Sequence, residues 1–374
     1  TVDLNLPESD NTLPDVLDEA LWGLDFFRRL QTQEGGIRGG IESASHPNRG
    51  EASWQESLTV MAYAPDLWSS YYYAGVAAQA ARILAGYDPT LAGAYQDSAL
   101  RAMAYAEQSV IARDREALPY PVNDQRNLAA LELYQLTRDT QWHQLFLETT
   151  VFKTPRQPTH KHRHHDQQHA AFIYASISEL ETDPTVQSYT RQALLKDADE
   201  MVTLGQNTAF NWTKIASDTP IAAGNSLGSP KAVPLLRAHQ LTGQQKYLKA
   251  AVLSCQFSAG ANPDNLVYTT GLGHRSPQNP LIVNQRVTNQ SPPPGITVYG
   301  PLDAQSFDDY WVLSLLDDVV VPSIYKTPTT ESYLDIFRYP AVTEFTIQQT
   351  QASTAYAWGY LAARSGDSPS NPSP

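Results

Sequence analysis

The chain has 374 residues, 41% of them hydrophobic, which suffices for one large domain or two medium ones. A net charge of −13, from 39 acidic against 26 basic side chains, disfavours a nucleic-acid partner, because phosphate binding needs a basic face. The single cysteine, Cys255, excludes an intrachain disulfide, and no run approaches the roughly 18 apolar residues of a membrane span.

The chain opens TVDLNLPESD, with neither a methionine nor a visible signal peptide, so we expect a removed leader or a fragment. Asn11 or Thr12 can cap a first helix with Pro14 in its first turn, and Leu13, Val16, Leu17, Ala20, Leu21, Leu24, Phe27 and Leu30 form its apolar stripe. QEGGIRGG ends that helix, and residues 41–65 read as a long loop carrying Trp54. Helical patterns then alternate with breakers: 67–85, 91–113, 124–137, 141–149, 167–180 and 186–205, with Pro119 and Pro121 as breaks. Residues 211–229 read as a loop, and 230–242 and 245–260 as a further helix pair. Cys255 lies in the last of these and reads as a buried, inert thiol.

Residues 153–165 form a basic loop rich in proline and histidine. His164, His165 and His169 invite a metal hypothesis, but a solvated loop is the commoner meaning of such a tract, and no metal is assigned. Asp166, Gln167 and Gln168 suit contact with a cleft or helix capping. About ten helical segments joined mostly by turns suggest an all-α fold, an α/α toroid of two concentric helical rings. Residues 261–333 are rich in Pro, Gly, Asn and Tyr and mostly irregular, with one helix near 304–315, and such loops on a rigid scaffold carry function.

The last helical segment, Val342 to Ala362, places Phe345, Ile347, Ala352, Ala355, Tyr356, Trp358 and Gly359 at mostly helical spacing. Thr343 is the expected N-cap, which puts Glu344 at the first helical position. A carboxylate there either complements the helix dipole, the commoner case, or serves a function.

Several segments resemble the catalytic domain of family 9 glycoside hydrolases. They are NLPESDNTLPDVLDEALWGLDFFRRLQ, the following GGIRGGIESASHPNRGEASWQES, the turn of Gly271 and Gly273, Asn279 and Pro280, the run ending at Arg286, and the segment around Glu344. The resemblance runs from Asn5 to about Ala362 and implies an (α/α)6 barrel over residues 1–364, truncated at its N-terminus, followed by a disordered Ser/Pro-rich tail, 365–374.

It also implies hydrolysis of β-1,4 bonds in glucan or glucosamine-containing glycans by inversion, which needs an acid and a base about 6.5–9.5 Å apart. Glu344 would be the acid and Arg286 would hold sugar hydroxyls, unless it pairs structurally with an acid. Trp54, Tyr268, Tyr299 and Tyr339 would offer sugar-stacking faces, although singly each is more often core, and Trp54 and Tyr299 are the better candidates.

Two departures stand out. The family's histidine just before the arginine is not evident, since Ile282, Val283, Asn284 and Gln285 fill that run. The Asp-Ala-Gly-Asp motif that carries the base does not occur; in the family it lies upstream of the Pro-Glu-Ser start. A competing reading is therefore a non-catalytic glycan-binding chain. Asp303 and Asp308 are available to a protonated amine, calcium is left open by the resemblance, and the implied location is secreted or periplasmic.

Overall fold

The computed structural model of the protein describes residues 11–46, 48–111, 118–178, 180–213, 227–307 and 309–365. The chain divides into two compact units, Thr1–Pro47 with Ser57–Leu195, and Asn48–Glu56 with Lys196–Pro374. Most of the tail expected to be disordered, Asp308, and the Pro-Glu-Ser segment lie outside the described residues.

In the first unit, helix α1 (Asp15–Arg29) starts at Pro14 and turns Leu21 and Leu24 inward. Neither Asn11 nor Thr12 caps it: Asn11 accepts from the Leu13 amide and donates to Asp18. Residues 41–65 contain a small antiparallel pair, β1 (Ile41–Ser43) with β2 (Val60–Ala62), where the sequence reads as loop throughout. Helix α2 (Leu67–Leu84) is capped by Asp66, which accepts from the Ser69 amide. It packs along α3 (Pro89–Ile111) and α4 (Tyr120–Thr137). Its alanines allow close packing, and a Cβ on Gly75 would lie 3.3 Å from the Ala129 backbone. Ala92, Tyr95, Ala99, Ala102, Met103, Ala106 and Val110 form the buried stripe of α3 at helical spacing.

Pro119 and Pro121 do not break α4; they begin it. Pro119 is the N-cap and Pro121 lies in the first turn, where a missing N–H costs nothing. Arg138 closes α4 in the left-handed conformation, and Asp139 caps α5 (Thr140–Thr149) through the Gln141 amide.

The His-rich tract is a hairpin, β3 (His160–Lys161) against β4 (His165–Asp166), leading into α6 (Gln168–Ser176). His165 is buried and its Nε2 lies 2.9 Å from the Pro158 carbonyl. Buried Asp124 accepts from the Asp166 amide (2.6 Å) and Gln167 Nε2 (2.9 Å). Asp166 and Gln167 therefore anchor the hairpin to α4, and Gln167 caps nothing with its side chain. Burial raises the Asp124 carboxyl above its ordinary value, against the hydrogen bonds it accepts. Among the described residues no three His, Cys, Asp or Glu side chains gather to hold a metal.

Helix α7 (Pro184–Asn207) continues the chain into the second unit. There α8 (Val233–Thr242) and α9 (Gln245–Ser258) form a hairpin through Gly243, whose φ of 68° suits glycine. Cys255 is buried in α9 and its thiol is pushed up to about 12 by that burial, which suits an inert core residue. Beyond it come α10 (Val283–Thr288), a 3-10 turn Ala304–Phe307, α11 (Trp311–Asp317) and α12 (Pro340–Thr343). A π turn, Ile347–Gln351, then enters α13 (Ala352–Ser365). Phe257, Tyr268, Val298, Leu302, Leu313, Tyr333, Tyr339 and Val342 share one buried cluster beneath these irregular segments. Among the described residues no helix is long and apolar enough to cross a membrane.

A pH dependence follows from His143. The Tyr174 oxygen accepts from the Asp183 amide (2.6 Å) and lies 2.9 Å from His143 Nε2. Burial lowers the His143 pKa below its ordinary 6.5, with Glu181 and Asp183 opposing. The unfolded chain therefore takes up a proton that the folded chain refuses. This contribution is complete above about pH 6.5 and shrinks as pH falls below it. Denaturant unfolding between pH 5 and 8 should show a decline on the acid side that is shallower in His143→Gln. Equal slopes would exclude His143 as the source. Removing the fully buried Phe146 ring as Ala should cost about 3–5 kcal/mol in the same assay.

Candidate functional site

All the candidate residues belong to the second unit. Helix α13 does not begin at Glu344. Thr343 is the buried last residue of α12, and its hydroxyl donates to the Tyr339 carbonyl (3.0 Å). Thr346 does the capping, accepting from the Gln349 amide (3.1 Å). Pro340 opens a separate short helix, and a second threonine three residues on caps the next one. Glu344 therefore lies between helices, in extended backbone (φ −72°, ψ 166°), with its side chain exposed.

Its backbone is nonetheless fixed. The Tyr299 amide donates to the Glu344 carbonyl (2.8 Å), Gly300 to Val342 (3.0 Å) and Leu281 to Thr343 (2.9 Å). Two phenols lie close enough to feel the carboxylate. Burial first, and the Glu344 charge last, raise Tyr299 and Tyr310 above the ordinary phenol value, while Thr346 and the Ala341 backbone respectively oppose this.

The tyrosines expected to stack on sugars are mostly core. Tyr268 is fully buried, against Phe257 on one side and edge-on to Tyr333. Tyr339 is fully buried as well. Tyr299 is 6% exposed, and its hydroxyl donates to Gln349 Oε1 (3.1 Å). None of the three presents an open face, so the stacking expectation is corrected for them. Trp54 differs. It is 67% exposed, on a 3-10 turn (Ser53–Gln55) tied to α10 by two hydrogen bonds: Ser53 N–H to Asn284 Oδ1 (2.7 Å) and Asn284 Nδ2 to Ser53 Oγ (2.9 Å).

Arg286, also on α10, is exposed and lies over the Phe337 ring, 3.7 Å from its centroid, so it stacks rather than pairing with an acid. It lines a cleft of about 540 Å³ with Asn279, Pro280, Gln285, Asp335 and Arg338 among others. A second cleft of about 590 Å³ shares Asp335 and adds Asp264, Arg275 and Tyr333. Asp335 accepts from the Gln278 amide (2.8 Å), the Asn279 amide (3.0 Å) and the Tyr333 hydroxyl (3.1 Å). Burial, then the charge of Glu331, raises the Asp264 carboxyl, with Arg275 and Tyr268 opposing. Asp303, available to a protonated amine by sequence, accepts from the Ser306 hydroxyl and the Gln305 amide, which makes it a local turn cap. Asp335, Phe337 and Arg338 were not singled out from sequence. The available signal was the charged and aromatic run YLDIFR leading into the Glu344 segment.

Paired helices joined by long irregular segments, which carry an exposed carboxylate and two polar clefts, define a helical protein with its candidate site on connecting loops. The family model for glycosyl hydrolase family 9 matches residues 4–357, and the chain belongs to that family. It is 24% identical to a cellulose 1,4-beta-cellobiosidase of Acetivibrio thermocellus, over 96% of this chain and 43% of the relative. It is 25% identical to the xyloglucan-specific endo-beta-1,4-glucanase BoGH9A of Bacteroides ovatus, over 85% of this chain and 57% of the relative. The chain thus spans about half the length of these curated relatives. Among solved structures it superposes on a metagenome-derived family 9 endoglucanase with a TM-score of 0.75 at 22% identity, covering 96% of this chain and 63% of that one. A Bacteroides ovatus family 9 structure gives 0.77 at 22%, covering 97% and 65%. The fold class is all-α, of the (α/α)6 barrel kind.

Asn284→Ala should release the Trp54 turn from α10, at a cost of about 1 kcal/mol per lost hydrogen bond. Hydrogen exchange of the amides in residues 48–56 should accelerate while that of α8 and α9 stays unchanged. Unchanged exchange in 48–56 would show that Asn284 does not hold the turn.

Proposed function

We propose that this chain hydrolyses β-1,4-glycosidic bonds in glucan or glucosamine-containing glycans by inversion, with Glu344 as general acid. The observation carrying this reading is the placement of Glu344: an exposed carboxylate on a backbone held at three successive residues. General acid catalysis needs a proton donor held within hydrogen-bond reach of the leaving oxygen, and a fixed backbone limits the search to side-chain rotation. Trp54 supplies an exposed ring for a sugar face, and Arg286, its own face stacked on Phe337, keeps its edge donors for hydroxyls. The activities for which the relatives are named, on cellulose and xyloglucan, support a β-1,4-glucan backbone as the substrate class. A polymeric substrate of that kind also favours a secreted or periplasmic location.

A second reading is glycan binding without turnover, through the exposed Trp54 ring and the Arg286 donors alone. The two readings part on one assay, performed on the protein expressed from its full coding sequence. Glu344→Gln should lower turnover of cello-oligosaccharides at least about a hundredfold, while the melting temperature stays unchanged because the side chain is exposed. The first product released from a β-linked substrate should be the α-anomer by proton NMR. Undiminished turnover in the variant, or a β-anomer, would refute the assignment. Binding without turnover in the wild type would establish the second reading.

A further inference from the structure

The cleft beside α10 carries more positive charge than a neutral glycan needs. Arg286 and Arg338 both line it and both are exposed. Among the described residues neither guanidinium has a carboxylate within ion-pairing distance. Asp335 on the same wall is already occupied by two backbone amides and the Tyr333 hydroxyl. The Phe337 ring fixes the plane of Arg286, and a stacked guanidinium leaves its in-plane N–H groups aimed outward, the geometry that receives an oxyanion in two parallel hydrogen bonds.

A second observation comes from the same cleft and separates an oxyanion on a sugar from a free one. Gln285 donates its Nε2 to the Gln278 carbonyl (2.7 Å), which fixes the orientation of its amide. Its Oε1 is buried and has no partner among the described residues. A buried acceptor without a donor is costly, and a bound ligand with a hydroxyl would satisfy it. A free, fully ionised oxyanion has no proton to give, whereas a sugar has hydroxyls beside its acidic group.

We propose that this cleft binds a sugar residue bearing a carboxylate, a uronic acid within the glycan, with Arg286 and Arg338 on the carboxylate and Gln285 Oε1 accepting from a hydroxyl. The proposal rests on the reading of the chain as a β-1,4-glycan enzyme and narrows its substrate class to acidic or oxidised chains. It makes Arg338 a specificity-determining residue.

The test is calorimetric titration of the full-length protein with three probes: cellotetraose, cellotetraose oxidised at C6 to carry one carboxylate, and inorganic sulfate. At low ionic strength the oxidised tetramer should bind about tenfold more tightly than the neutral one. Added salt should erode that preference, as should Arg286→Gln and Arg338→Gln separately. Sulfate should bind far more weakly than the oxidised tetramer. Melting curves identify any variant that fails to fold, and the two substitutions serve as checks on each other. Equal affinity for the two tetramers overturns the proposal and leaves the glycan reading standing. Binding of neither tetramer overturns both. A preference that survives both substitutions overturns the assignment to this cleft, and sulfate binding as tight as the oxidised tetramer overturns the requirement for a sugar.

Discussion

Three backbone hydrogen bonds, from Leu281, Tyr299 and Gly300 onto the carbonyls of Val342, Thr343 and Glu344, are the constraint on which the candidate site depends. They join two parts of the irregular region 261–333 to the start of the segment that sequence alone reads as the last helix. Without them Glu344 would sit in a linker between α12 and the π turn, free to sample many backbone conformations. The joint also needs two glycines. Gly300 has a φ of 81°, and a Cβ there would lie 2.5 Å from the Gly228 nitrogen. A Cβ on Gly228 would in turn meet the Val298 carbonyl at 2.2 Å, while the Gly228 amide donates to the Tyr299 carbonyl (2.7 Å). Side chains at either position would force these backbones apart and move the carboxylate with them.

Beneath this joint lies the aromatic cluster of Phe257, Tyr268, Tyr333 and Tyr339. Residues of that size each contribute on the order of 1.5–3 kcal/mol when buried, which holds a long connection as firmly as a helix would. Their burial removes Tyr268 and Tyr339 from the list of sugar platforms but gives the clefts rigid walls. Tyr333 makes the link directly: its ring packs on Tyr268 in the core and its hydroxyl holds Asp335 at the junction of the two clefts.

The helical part of the chain was largely legible in its sequence. Helices α1 and α3 turn one face to a core and repeat at 3.6 residues, a periodicity that survives in a single sequence, whereas α4 is buried on every side from Arg126 to Tyr134 and is legible from its length. What failed was local chemistry that tertiary contacts decide. Pro119 and Pro121 read as breakers, although they are the N-cap and a first-turn residue of α4, where a missing N–H is tolerated. The His-rich hairpin read as loop because its strands are two residues long and are held by Asp124, which lies about forty residues away in sequence. At Glu344 two threonines three residues apart could each cap a helix, and only the buried hydroxyl of Thr343 shows which one does not. Exposed Trp54 and buried Tyr268 look alike in sequence, since aromatic residues in irregular segments serve both as walls and as platforms. The residues carrying the resemblance, by contrast, pointed to the family before any fold was known.

The most direct test of this account is a crystal structure of the full-length protein with a non-hydrolysable thio-linked cello-oligosaccharide. The account predicts one inter-sugar sulfur within hydrogen-bond reach of a Glu344 carboxyl oxygen, with the chain passing the Trp54 ring and the Arg286 cleft. A ligand bound elsewhere, with Glu344 facing only solvent, would contradict it.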